Sequence, residues 1–371
     1  MKRQRCRRVV IIFLTVMALA GGTAVAMPSR GFSANENRYL AVWPTLDAAS
    51  LWSGLFQKGM AAYVSDHFVL RDGLTAAAGA IQRAQGRRDI NGAYLGADGW
   101  LLAAITSQDI DTELYGRSLA LLDRLAADSG VPMVVMPVPD AGIVMKDELP
   151  PLAPMYDAAA LYATARQVLT HAAIVDPTDA LRQASGQRYY RTDHHWTSLG
   201  AYVGYRCLAP ALGLTARPAD GFGFHMVTDA FRGSLYSKVL NPDAPYDDIS
   251  IAAQPAGLQV TADGKPMDGL YDMTALQGKD KYSVFLGGNH GRLDIDTGHG
   301  GPTLLVIKDS FANCLVPLLT GDYAHIIMID LRYYEGRIGS LVTEQHVDAI
   351  AVVYQLSNLA SDTSLMKLAL G

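Results

Sequence analysis

Short, unbroken apolar runs that alternate with helix-like segments constrain the fold of this chain more than any other feature. Residues 131–138 (VPMVVMPV), 303–307 (TLLVI), 325–329 (HIIMI) and 347–354 (VDAIAVVY) each have the length of one strand and few polar side chains. A strand covered on one face alternates apolar and polar residues, whereas one covered on both does not, so these runs predict strands buried within a parallel sheet. Amphipathic spacing between them predicts helices over 111–129, 155–171, 198–212 and 311–319,. Asp111 or Thr112 suits the start of the first of these and Gly130 its end,. Repeated β–α units imply an α/β fold: an open parallel sheet with helices on both faces.

Three stretches depart from the alternation. Residues 47–84 read mainly as helix, with Asp47 as a cap,. Turn signals at Asn91-Gly92 and Asp98-Gly99 bracket a hairpin strand at 93–95, continued at 100–102,. Residues 215–283 are rich in Gly, Pro, Asp and Tyr and read as an inserted β-rich segment. At 371 residues the chain exceeds the usual domain size of roughly 100–150,. The expected division is a targeting segment at 1–26, a stalk and N-terminal helical region at 27–90, and a main α/β domain at 91–371 that carries the insertion.

The targeting segment pairs a basic cluster (Lys2, Arg3, Arg5, Arg7, Arg8) with an apolar run at 9–20 and small residues ending in Ala24-Val25-Ala26. That order matches a secretory signal peptide. The 18 residues of 9–26 are also borderline for spanning a hydrocarbon core of about 30 Å, so an uncleaved membrane anchor fits too, with the same outward topology,. Either way the expected location is extracytoplasmic, anchored or secreted. A net charge of −5 gives no reason to expect a nucleic-acid partner,. Of the three cysteines, Cys6 precedes the apolar run, while Cys207 and Cys314 would be exported and either pair or remain separate buried thiols,.

Three sites carry chemistry. Ser310 lies where the strand ending at Lys308 gives way to a helix, the carboxyl end of a strand where ligands gather in open α/β sheets,. A serine there is either a helix cap or a nucleophile beside unpaired N–H groups. In Asp193-His194-His195-Trp196, residues i and i+2 of an extended segment share a face, so Asp193 would orient His195 as the base half of a serine triad,. The alternatives are a structural histidine pair or metal ligands, although no H-E-x-x-H spacing accompanies them. In Phe285-Leu286-Gly287-Gly288-Asn289, the Asn289 amide is a candidate oxyanion donor, against an ordinary Gly-Asn turn,. A G-x-S-x-G elbow and a complete P-loop are both absent, and nothing calls for a cofactor or a resident metal,.

At these residues the chain resembles the DHHW-motif proteins, which are similar to the alginate O-acetyltransferase family with its SGNH-hydrolase-like domain. The resemblance is carried by Tyr189-Tyr190-Arg191-Thr192-Asp193-His194-His195-Trp196-Thr197 and by Ile307-Lys308-Asp309-Ser310-Phe311, where Lys308 replaces the usual glycine. Leu95-Gly96-Ala97-Asp98-Gly99-Trp100-Leu101 and Ile329-Asp330-Leu331-Arg332-Tyr333 add to it, as do Asn35-Glu36-Asn37-Arg38 and residues 66–72. It implies Ser310 as nucleophile, His195 as base and Asp193 as its orienter, with Asp and His preceding Ser in chain order. It further implies an O-acyltransferase or acyl esterase acting on a cell-surface glycan, supplied with acyl groups by a membrane partner. Trp196 is expected to pack beneath the His195 loop, and residues 231–236 to line the cleft. The rival expectations are a non-catalytic glycan-binding surface protein and a metal-dependent hydrolase built on Asp193, His194 and His195.

Overall fold

In a computed structural model the described residues are 31–33, 38–68 and 71–370, together with 7, 8, 10, 11, 13–15 and 22. The expected targeting segment at 1–26 lies mostly outside them. Among the described residues no helix is long and apolar enough to cross a membrane. The chain divides into two compact units, residues 1–87 with 237–242 and residues 88–236 with 243–371.

The second unit is built on a sheet of eight strands: β1 (Met133–Val138), β2 (Ala173–Ile174), β3 (Gln259–Ala262), β4 (Lys265–Met267), β5 (Arg292–Asp296), β6 (Thr303–Lys308), β7 (His325–Ile329) and β8 (Ala349–Gln355). Their order is β4-β3-β5-β7-β6-β8-β1-β2. From β7 to β2 every pairing is parallel. The expectation of a wholly parallel sheet needs correction, because β5, β3 and β4 extend it with antiparallel pairings. The pattern of burial gives the reason. β1 is buried at all six positions, whereas β5 and β3 alternate buried with exposed or half-buried residues, the signature of strands covered on one face,. Part of the expected insertion thus belongs to the central sheet. The rest includes a separate antiparallel pair, His225–Phe231 with Asp247–Ile251.

Four helices pack on this sheet: α1 (Thr112–Ser129), α2 (Ala158–Val168), α3 (Ser198–Ala211) and α4 (Ile338–Glu344). Successive strand residues point to opposite faces, so Leu304 and Val306 join one core with Tyr205 and Leu208 of α3,. Leu305 and Ile307 join the other, with Leu119 and Leu122 of α1, Leu161 of α2 and Leu341 of α4. Helices therefore cover both faces, as expected. The helix expected at 311–319 is instead two 3₁₀ turns, Ser310–Cys314 and Val316–Leu319. Pro317 lacks the N–H that would have continued an α-helical ladder.

Asp111 caps α1 by accepting from the Leu114 N–H at 2.8 Å, and Gly130 closes it at φ 64°. Asp111→Ala should lower stability by about 1 kcal/mol, read as a lower denaturant midpoint at unchanged m-value. The 93–95 hairpin is present, Ala93–Leu95 pairing antiparallel with Leu101–Ala103. In the first unit the helical stretch divides into Ala48–Ser53, Leu55–Asp66 and Arg71–Ala84, and Asp47 accepts from the Ser50 N–H.

Candidate active site

The segment that carries Asp193 and His195 is a bent loop and not the extended strand expected from its spacing. An antiparallel bridge between Tyr189 and Trp196 closes it, and the Tyr190 N–H donates to the His195 carbonyl at 3.1 Å. The buried Asp247 carboxylate holds its approach. It accepts from Gln187 Nε2 (2.7 Å), the N–H groups of Arg191 and Thr192 (2.9 Å each) and the Thr192 hydroxyl (2.6 Å). Asp193 gains its grip on His195 through two bonds to a single oxygen. Oδ1 lies 3.0 Å from the His195 backbone nitrogen and 2.6 Å from the ring Nδ1, and Oδ2 accepts from the Ser234 N–H at 2.7 Å. Burial alone would raise the Asp193 carboxyl. The imidazoles of His194 and His195, with these hydrogen bonds, hold it well below the usual carboxylate range,.

The opposite edge of the ring reaches the turn after β6, with His195 Nε2 2.7 Å from Ser310 Oγ. Segments 115 positions apart converge because side chains pin them together. Trp196, fully buried, donates its indole N–H to the Phe311 carbonyl at 2.9 Å. This is the packing expected beneath the loop, and Gly204 of α3 leaves the room for it, since a Cβ there would lie 2.6 Å from the indole. Tyr282 stacks on the imidazole at 3.7 Å between centroids and 6° between planes, and its hydroxyl donates to the Ser310 carbonyl at 3.1 Å. Asp309 anchors the turn from beneath. Its Oδ1 accepts from the Phe311 N–H, and its Oδ2 accepts from the Gln355 N–H of β8 and from Asn358 Nδ2, each at 2.9 Å. Burial raises this carboxyl against those bonds.

Asn289, itself exposed, follows a turn in which Leu286, Gly287 and Gly288 all have left-handed φ (59°, 67° and 97°). Its Oδ1 accepts from Lys308 Nζ at 2.8 Å and from Asn313 Nδ2 at 3.2 Å, so the oxygen end of the amide is fixed. Its Nδ2 donates to no protein group among the described residues. Cys314 lies under the site with its sulfur 3.3 Å from the Tyr282 hydroxyl oxygen, and burial pushes its thiol up to about 12. Cys207 and Cys314 are both free thiols, so the pairing weighed from the sequence is not formed.

Sequence reasoning did not single out Tyr282, Asp247 or Gly233. Tyr282 and Asp247 reach the site from outside its motifs, and no local pattern marks either one. Gly233 falls within the 231–236 stretch, which does contribute. Ser234 bonds Asp193 through its N–H and meets His194 Nδ1 with its hydroxyl at 2.8 Å. With Asp193 accepting the Nδ1 proton, His195 Nε2 is left to accept the proton of Ser310 Oγ. That is the arrangement a serine nucleophile requires.

Residues 93–274 match the family model of the SGNH hydrolase-like domain of the acetyltransferase AlgX. The match includes Asp193 and His195 and stops short of Ser310. Among solved structures, a DHHW family protein from Eubacterium siraeum DSM 15702 is similar at 18% identity and a TM-score of 0.65, over 76% of this chain and 96% of that one. PatB1 of Bacillus cereus, solved with a sulfonyl adduct, is similar at 19% identity and a TM-score of 0.63, over 73% of this chain and 97% of that one. No curated protein sequence matches the chain. At these identities the likeness is one of fold, an SGNH hydrolase-like α/β fold, and the resemblance to DHHW and alginate-acetyltransferase-type proteins read from the motifs holds.

Proposed function

We propose that this chain, similar to the AlgX acetyltransferase domain and to a DHHW family protein, is an extracytoplasmic O-acyltransferase or acyl esterase that modifies a cell-surface polysaccharide through Ser310, His195 and Asp193. One observation carries the reading: a single imidazole bridges a buried carboxylate at 2.6 Å and a serine hydroxyl at 2.7 Å. In the proposed cycle His195 Nε2 takes the Ser310 proton as Oγ bonds to the acyl carbon of a donor ester, and the carbonyl π pair moves onto oxygen. Asn289 Nδ2 and the Ser310 N–H receive that oxyanion. His195 then protonates the departing donor oxygen as the tetrahedral centre collapses to the acyl-enzyme. A sugar hydroxyl, deprotonated by His195, then bonds to the acyl carbon; the acyl–Oγ bond breaks, Ser310 Oγ takes back the proton from His195, and the sugar leaves as its ester, while water in its place gives hydrolysis. Export by the 1–26 segment places the enzyme beyond the cytosol, where a membrane partner supplies the acyl donor. No cofactor enters this cycle.

The metal-dependent rival draws on the same residues, since ligand atoms of Asp193, His194 and His195 lie within 4.8 Å of one another. Against it, both His195 nitrogens are engaged, one on Asp193 and one on Ser310, and His194 Nδ1 is engaged by Ser234. Covalent labelling separates the readings. A sulfonyl fluoride or fluorophosphonate should add one adduct per chain, on the peptide bearing Ser310, at a rate that EDTA does not change. Lack of any adduct would favour the glycan-binding rival, and loss of acetyl-ester turnover on chelation would favour the metal. Transfer and hydrolysis are told apart by whether polysaccharide acceptors divert acetyl groups from water.

A further inference from the structure

Lys308, the last residue of β6 and two positions before Ser310, is 2% exposed. Burying an ammonium costs several kcal/mol unless its surroundings repay it, so its partners define its purpose. Nζ donates to Asn289 Oδ1 at 2.8 Å and to Asn313 Oδ1 at 2.9 Å, and lies 3.6 Å from Asp330 Oδ2. Asp330 is already gripped by Arg332, whose Nε and Nη2 meet Oδ1 and Oδ2 at 2.8 and 2.5 Å. The aspartate therefore supplies compensating charge, while both hydrogen bonds of the lysine go to amide oxygens. Asn313 completes the frame by donating to the Gly288 carbonyl at 3.1 Å and to Asn289 Oδ1.

A cation on an amide oxygen does two things. It fixes which end of the amide is which, and it draws electron density from the nitrogen, making Nδ2–H a stronger donor. Asn289 needs the first because the residue is exposed and its side chain would otherwise rotate. We propose that Lys308 is a positioning residue that orients and polarises the Asn289 amide, so that its Nδ2 hydrogens meet the oxyanion formed when Ser310 attacks an acyl carbon. This rests on the Asn289 assignment above. Burial brings the Lys308 ammonium down to about 8, against the opposing pull of Asp330. The charged groups facing it are Asp330, Arg332 and Asp309. The polarising charge is thus complete below that pH and fades above it.

The test is a double-mutant cycle on the full-length protein with 4-nitrophenyl acetate. Asn289→Ala should lower kcat by about 10²-fold, and Lys308→Met by about tenfold, with KM little changed in both. The double variant should be no slower than Asn289→Ala alone, because the lysine acts through the asparagine. Lys308→Gln keeps a donor and discards the charge, so near neutrality it should already show the lowered kcat expected of the unaltered protein above pH 8. It should also lack the alkaline decline in kcat expected of the unaltered protein near pH 8, and it forms its own cycle with Asn289→Ala if the methionine variant does not fold. Losses that multiply in the double variant, or an alkaline limb that survives Lys308→Gln, would overturn the proposal. A silent Asn289→Ala would overturn the oxyanion assignment itself, a result distinct from either.

Discussion

Changing His195 to alanine should lower acetyl-ester turnover by about 10⁴–10⁶-fold, and changing Ser310 to alanine should do the same. The hydroxyl is nucleophilic only while a base takes its proton, and the base is useful only beside the hydroxyl. In the proposed mechanism the two act as one unit, so Ser310→Ala/His195→Ala should be no slower than either single variant. Asp193→Asn keeps the shape but can present an NH₂ to Nδ1, favouring the wrong tautomer, and should cost about 10⁴-fold. Because Asp193 is held well below the ordinary carboxylate range, it stays charged through mild acid. The stability it contributes is present above that ordinary range and is lost only as the pH falls through its depressed folded value. Loss of activity in mild acid therefore arises elsewhere than Asp193. Circular dichroism should find all three single variants folded, since Trp196–Phe311 and the Asp247 contacts hold both segments without them. A His195→Ala protein with turnover within tenfold of the unaltered chain would end the serine-triad account.

The fold and the site were legible to different depths for physical reasons. β1, β6, β7 and β8 could be read because burial on both faces forces a continuous apolar run, as in VVMPV or TLLVI. β3 and β4 could not, because strands of four and three residues covered on one face have no such run and sit among Gly, Pro and Asp. Asp193, His195 and Ser310 stood out because their chemistry depends on residue type within short motifs. Tyr282 and Asp247 act by where the chain returns them, 28 residues before Ser310 and 55 after Thr192, and no local pattern announces that. Lys308 was visible as a departure from the family glycine. What it replaces that glycine for, a hold on Asn289, became readable only once β6 had carried it inside.

Gly233→Ala should slow turnover by acting through the orienter Asp193, though Gly233 takes no part in the chemistry. A Cβ built on Gly233 overlaps Asp193 Oδ2 and Cβ and lies 2.6 Å from Cγ. The reason is space, since Gly233 is not among the glycines with positive φ. Neither partner can yield freely. Asp193 is tied to His195 and to the Ser234 N–H, and the Gly233 N–H donates to Thr192 Oγ1 at 3.2 Å. Relief requires the carboxylate or the 232–234 backbone to shift by the order of an ångström, and either shift moves the His195 ring off Ser310. Misplacement on that scale costs about 10²-fold in rate, and overpacking of this kind costs about 1–3 kcal/mol of stability. The comparison variant is Gly116→Ala, where a Cβ meets nothing within 4 Å on α1. It should stabilise the protein by about 1 kcal/mol through helix propensity alone and leave kcat untouched. Thermal unfolding and acetyl-ester kinetics on the pair decide the matter. Full activity in Gly233→Ala would mean that the carboxylate does not set the position of the imidazole, and the part assigned to Asp193 would have to be given up.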